Sequence, residues 1–174
     1  MAETIRTMLV LSKIDSHMLV SEPSMQKLKP VLDECVALQE RVRTEKNIHL
    51  SVDCLSGLEL LADTQLLKEI LINLISNAYK YTPAGGRVTI NASAQGSQIA
   101  VNVTDTGCGI PVAEHNRVST KFFRASNVGK MDESGTGIGL YLVYKLVKIL
   151  GGSISFVSQE NHGTTFTLLL PSHV

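Results

Sequence analysis

Asn73, Asn77 and Lys80 stand at i, i+4 and i+7 of the stretch Thr64 to Pro83, TQLLKEILINLISNAYKYTP. At about 100° per residue this spacing gathers two carboxamides and an ammonium within roughly 60° of arc. Such a face suits a hydrated Mg²⁺ and the phosphates it bridges, because Mg²⁺ takes oxygen ligands and keeps water and phosphate in its shell. On this helix alone, hydrogen bonds from both asparagines to neighbouring loops explain the pattern as well. A second candidate is Gly135-Thr136-Gly137-Ile138-Gly139-Leu140, placed where a helix begins. Glycines let backbone approach an anion, and the free N–H groups of a first helical turn then point at it. The run has neither the Gly-Lys-Ser/Thr ending of a Walker A loop nor the acidic residue about twenty positions on of a dinucleotide fingerprint. Third is Asp105-Thr106-Gly107-Cys108-Gly109-Ile110-Pro111, a carboxylate at the end of an apolar strand with small residues behind it. It is placed to accept from an exocyclic amine such as adenine's, whereas an isolated Asp-x-Gly usually caps its own turn.

The elements that must position these groups are legible in the periodicity. Leu67, Ile70, Leu71, Leu74, Ile75 and Ala78 form one apolar stripe, so the carboxamide helix docks on a core, with Asp63 as its cap. Alternation predicts strands over Ile48–Asp53, Leu58–Ala62, Arg87–Ala94, Ile99–Thr104, Ile154–Ser158 and Thr164–Leu170, with a hairpin through Gln95-Gly96-Ser97. A helix opened by Lys29-Pro30 runs to about Lys46, its charged end, Arg41 to Lys46, forming a solvated face. Another runs from Leu140 to Gly151-Gly152. Ile5, Met8, Leu9, Leu11, Ile14 and Met18 predict a first helix from Ala2 to about Leu19. It reads equally as an ordinary packing helix or as the tail of a bundle helix, ahead of a break at Ser21–Ser24. Asp105 to Ser134 has little periodicity beyond a turn near Val112–Ser119, and loops that long in a small domain act as lids or binding loops.

At 174 residues, 44% of them hydrophobic, the chain suffices for one domain and a short appendage. Sixteen basic and sixteen acidic residues cancel, so no general field draws it to nucleic acid or anionic membrane, and phosphate must be held locally. Cys35, Cys54 and Cys108 are odd in number and lack metal-ligand spacing, so neither a disulfide nor zinc is expected. No apolar run has the length of a membrane span, which leads to the expectation of a soluble, cytoplasmic piece whose parent is free to be membrane-anchored.

In order and spacing, Asn-x-x-x-Asn-Ala-x-Lys-Tyr, Asp-x-Gly-x-Gly-Ile, a lid, Gly-Thr-Gly-Ile-Gly-Leu and Gly163-Thr164-Thr165-Phe166 resemble the catalytic ATP-binding domain of sensor histidine kinases. That family lies in the wider group of gyrase, Hsp90 and MutL ATPases, and the resemblance covers about Lys29 to Pro171. It implies an α+β, two-layer α/β sandwich of Bergerat type. A mixed, mostly antiparallel sheet of about five strands carries helices on one face, with a helical segment ahead of it. Residues 1–22 would end the dimerisation and phosphoacceptor helix, and 23–174 would form the ATP-binding domain.

The cofactors implied are ATP and Mg²⁺. Asn77 would ligate the metal with Asn73 in support, Lys80 would contact phosphate and Tyr81 line the nucleotide. Asp105 would read the adenine amine, Gly107 and Gly109 would make room for the base, and Thr165 would join its network. Gly135, Gly137 and Gly139 would hold phosphates and Arg124 reach the γ-phosphate, with Ile110, Thr136, Ile138 and Leu140 completing the nucleotide-binding motifs. Asn73, Lys80 and Arg124 would be the catalytic set. Hydrolysing relatives carry Glu where Asn73 stands, and an amide is no general base, so the resemblance implies transfer to a protein side chain.

The acceptor is not in the chain. His17 is followed by Met-Leu-Val, and His49, His115, His162 and His173 sit in strand, loop or tail contexts. The partners implied are therefore an upstream bundle carrying the histidine and a response regulator, in a homodimeric parent, with no nucleic acid and no membrane contact by this piece. Two other readings stay open: a nucleotide-binding regulatory module without transfer, and a serine kinase or ATPase of the same superfamily. Ser119 occupies a place where the lid usually has an aromatic residue, although Phe122 and Phe123 match, and Cys108 reads as a bystander.

Overall fold

A computed structural model describes residues 2–16, 18–131 and 135–172. His17 and His173, considered above as acceptors, lie outside them, as does the end of the long loop at 132–134. Among the described residues the elements are α1 (Ala2–Asp15), β1 (Ser24–Lys27), α2 (Leu28–Leu38), α3 (Glu40–Glu45), β2 (His49–Cys54), β3 (Glu59–Ala62), α4 (Thr64–Tyr81), β4 (Arg87–Gln95), β5 (Gln98–Asp105), α5 (Gly139–Ile149), β6 (Ser153–Gln159) and β7 (Gly163–Pro171). A 3₁₀ turn, Val112–Arg117, and a second 3₁₀ segment, Ser126–Met131, kinked at Gly129, interrupt the long loop. No described helix is long and apolar enough to cross a membrane.

Five strands form a mixed sheet in the order β2-β4-β5-β7-β6, with β2 and β4 parallel and every other pair antiparallel. Helices α2, α4 and α5 cover one face, the architecture expected from the sequence. Alternate residues of the central strands point toward these helices and are buried: Val88, Ile90 and Ala92 on β4, Ile99, Val101 and Val103 on β5, and Phe166, Leu168 and Leu170 on β7. The carboxamide helix α4 starts where Asp63 accepts from the Gln65 and Leu66 N–H groups, at 2.9 and 3.1 Å. It buries Leu67, Ile70, Leu71, Leu74, Ile75, Ala78 and Tyr79. It stops at Thr82, whose extended backbone (ψ 131°) is the conformation that the following proline favours. Helix α5 ends in a Schellman turn, Gly152 N–H to Val147 and Gly151 N–H to Lys148, with Gly151 at φ +69°.

The structure corrects four local expectations. The helix expected from Lys29 to Lys46 is two, broken at Gln39: α2 buries Leu28, Val31, Leu32 and Cys35, whereas α3 buries nothing. Ser24, read as the end of a break, opens a strand over Ser24–Lys27 that pairs antiparallel with β3 in a small separate sheet, so the Leu58–Ala62 strand lies outside the five-stranded one. The first helix ends at Asp15, and the N–H groups of Met18 and Leu19 fold back onto the Lys13 carbonyl. Glu22 N–H donates to Asp63 at 2.9 Å, just ahead of β1. Lastly, Arg41 to Lys46 is not wholly a solvated face. Lys46 Nζ donates to the carbonyls of Tyr79 and Lys80, each at 2.8 Å, and so caps the C-terminal end of α4 with a cation.

Candidate functional site

Strand parity explains why Asp105 is buried. It continues the inward series Ile99, Val101, Val103 and is 8% exposed at the very end of β5. Its Oδ1 accepts from Gly107 N–H at 2.8 Å and Thr164 N–H at 3.3 Å, while Oδ2 meets no donor among the described residues. Burial pushes the carboxyl up to about 6 against the pull of these two hydrogen bonds. Opposite it in register is Thr164, whose hydroxyl lies 2.8 Å from that of Ser158; Ser158 also accepts from Ile110 N–H at 2.8 Å. Thr165, expected in this network, points to the other face of the sheet and pairs with Thr104 at 3.0 Å. The inward partner is its neighbour Thr164.

Around Asp105 lies a cleft lined by Tyr81, Cys108, Gly109, Ile110, Leu140, Thr164 and Phe166, and walled on the loop side by Phe123, Arg124, Ala125 and Val128. The glycines of the aspartate turn are required by the protein itself. A Cβ on Gly107 would stand 2.5 Å from the Tyr81 carbonyl oxygen, and one on Gly109, at φ +64°, 2.0 Å from that of Gln159. Burial also pushes the Cys108 thiol up, which disfavours its reactive thiolate.

Helix α4 meets the start of α5 through Asn73. Its Nδ2 donates back to Glu69 carbonyl at 2.8 Å, and its Oδ1 faces Gly139 so closely that a Cβ there would lie 2.6 Å away. Asn77, one turn on, is half-buried, and its side chain makes no hydrogen bond among the described residues. The Lys80 ammonium lies 5.7 Å from the Tyr81 ring centre. Among the described residues no side chain caps the α5 N-terminus, so the first-turn N–H groups keep their donor capacity. Gly137 (φ +67°) packs against the backbone of Phe122 and Phe123. Ile138 is buried, but it lines a groove with Met8 and Leu11 of α1 and the loop's Lys121 and Phe122 instead of the cleft.

The structure therefore gathers Tyr81, Asp105, Gly109, Ile110, Arg124 and Leu140 around one cleft, with Asn73 and Gly139 in mutual contact. Thr165 and Ile138 stand apart. Thr136 is exposed and Gly135 half-buried ahead of α5. Sequence reasoning missed Ser158, Thr164 and the loop's Asn127, whose amide spans the carbonyls of Cys108 and Gly109. An inward position next to Asp105 in a paired strand was the available signal for Thr164; Asn127 offered none.

Residues 62–174 match the family of histidine kinase-, DNA gyrase B- and HSP90-like ATPases. The chain belongs to this family. A sensor-like histidine kinase of Rhizobium meliloti is 34% identical over 171 residues, covering 97% of this chain and 32% of that protein. The sensor-like histidine kinase SenX3 of Mycolicibacterium smegmatis is 31% identical over 173 residues, covering 99% of this chain and 45% of SenX3. The chain thus spans less than half the length of these relatives. Among solved structures, the catalytic domain of histidine kinase ThkA superposes with a TM-score of 0.76 at 27% identity, covering 87% of this chain and 96% of that one. The match identifies an ATP-binding catalytic domain of a sensor histidine kinase, with the sheet and helix layers of that fold.

Proposed function

We propose that this ATPase domain binds ATP with Mg²⁺ and delivers the γ-phosphoryl group to a histidine outside the chain. The observation that carries the reading is Asp105, a buried carboxylate whose Oδ1 is satisfied by backbone while Oδ2 has no donor among the described residues, in a cleft shared with Arg124 and with Leu140 of α5. In this reading Asp105 accepts from the exocyclic amine of adenine, with Tyr81, Ile110, Thr164 and Phe166 supplying apolar and hydroxyl contact. The amide oxygens of Asn73 and Asn77 are hard donors that fit Mg²⁺. Bound Mg²⁺ would neutralise charge on the phosphate oxygens. Asn77 would ligate it directly and Asn73 would orient the site from beside Gly139, while the N–H groups of α5 and the cations Lys80 and Arg124 would stabilise charge that develops during transfer. Neither asparagine can take a proton from water, which favours a protein nucleophile over hydrolysis.

We also assign α1, Ala2–Asp15, to the end of a bundle helix in a dimeric parent. Support comes from Met8 and Leu9, 48% and 60% exposed, on a helix whose Leu11 is buried. A response regulator would take the phosphoryl group onward from that parent.

The chain mixed with γ-labelled ATP, Mg²⁺ and a separate helical bundle bearing an acceptor histidine should give acid-labile label on the bundle and none on itself. Acid-stable label on the chain would replace this reading with a hydroxyl kinase, and release of inorganic phosphate without label would replace it with an ATPase.

A further inference from the structure

Asn127 lies in the 3₁₀ segment Ser126–Met131, far in sequence from Asp105, yet its Nδ2 donates to the carbonyls of both Cys108 and Gly109, each at 3.1 Å. A primary amide is the short side chain that places two donor hydrogens on one atom; a hydroxyl has one and a carboxylate none. The Oδ1 is buried and has no partner among the described residues. Reversing the amide would aim that oxygen at two carbonyl oxygens, so the acceptors themselves fix its orientation. The contact sits between two functional features. Cys108 and Gly109 belong to the turn that Asp105 closes through Gly107, while Arg124, Ala125 and Val128, on either side of Asn127, form the loop wall of the cleft. A second tie, Ser126 N–H to Glu114 at 3.0 Å, stays within the loop and does not reach the aspartate turn.

We propose that Asn127 is a positioning residue that latches the cleft-lining loop onto the aspartate turn, so that Arg124 and Val128 are held at the cleft by the same backbone that places Asp105. The latch couples base recognition to the position of the loop arginine. Its catalytic consequence rests on the ATP-binding reading above, whereas its structural consequence does not.

The test compares wild type, Asn127→Asp and Asn127→Ala. Aspartate has the shape of asparagine but presents oxygen to two carbonyl oxygens; alanine merely withdraws the donors, and the Cys108 carbonyl then still accepts from Asn161 N–H at 2.8 Å. A latch therefore makes the isostere the worse variant, whereas a packing role makes it the milder one. Amide hydrogen exchange of the nucleotide-free chain should show protection of residues 121–128 falling about tenfold or more for Asn127→Asp and less for Asn127→Ala, with α4 unchanged. In phosphotransfer to an added bundle, the KM for ATP should rise by about tenfold for Asn127→Asp, with a fall in kcat through the displaced arginine. Protection equal to wild type in Asn127→Asp, a larger loss in Asn127→Ala, or loss that spreads to α4 would each overturn the latch. Should the wild type bind no ATP, the function fails while the exchange comparison still decides the latch.

Discussion

At the scale of single residues, Asp105 joins stability to the recognition proposed for it. Its carboxyl titrates near 6 in the fold and near 3.8 as an unperturbed group, so the folded state holds its proton more tightly. Stability therefore falls as pH rises between these values and stays lower above them, by a difference on the order of 3 kcal/mol. Asp105→Asn should flatten that slope in urea unfolding measured from pH 4 to pH 8 and unfold later than wild type at the upper end. The same change should weaken ATP at least tenfold in calorimetry, because an amide that keeps its oxygen on Gly107 and Thr164 turns a donor toward the purine amine. A purine with a carbonyl at that position would lose less, so the preference for ATP over GTP should shrink. Asp105 was legible in the sequence because an apolar strand ended in it. Thr164 was not, since parity in β7 hangs on where Gly163 begins the strand, and a shift of one residue exchanges faces. Asn127 and Lys46 were illegible for another reason: their partners are backbone carbonyls remote in sequence, and any Asn or Lys would read the same.

At the scale of elements, α4 is held at both ends by side chains. Lys46→Met removes two charge-assisted hydrogen bonds at its C-terminal end and should cost about 1–2 kcal/mol in urea unfolding. The junction of α4 with α5 makes the opposite forecast for Gly139→Ala. Alanine suits a first helical turn and the obstacle is the end of a flexible amide, so stability should hold or rise by about 0.5–1 kcal/mol. Displacement of the Asn73 carboxamide should nevertheless weaken Mg²⁺-dependent ATP binding several-fold in titrations with and without the metal. Long elements with a clear period were legible, α4 and α5 above all. Strand β1 was not: Ser24-Met25-Gln26-Lys27 has only four residues and a polar composition, and it is a strand because β3 lies alongside it. The break at Gln39 escaped as well, since apolar residues on both sides, Leu38 and Val42, continue a helical period although both are exposed.

At the scale of the molecule, α1 meets the domain through contacts of unlike kind, among them an exposed ion pair and the side chains of Val10, Leu11 and Ile14. Lys121 of the loop pairs with Asp15 at 3.0 Å, and because both side chains are about 40% exposed or more, Lys121→Glu should leave stability nearly unchanged in urea unfolding, with any loss confined to low salt. Leu11, 5% exposed, belongs to the core itself. A chain starting at Ser21 should fold with the same sheet yet lose about 2–3 kcal/mol in urea unfolding, through that leucine and the uncovered Ile138. The burial of Leu11 has a mechanical meaning for any longer protein in which this helix continues upstream. Sliding or turning the helix far enough to unseat the side chain costs about 2 kcal/mol, a state populated roughly one time in thirty. Smaller movements drag the whole ATPase domain along as a rigid load. The joint is a detent, stiff to small strokes and released only by larger ones.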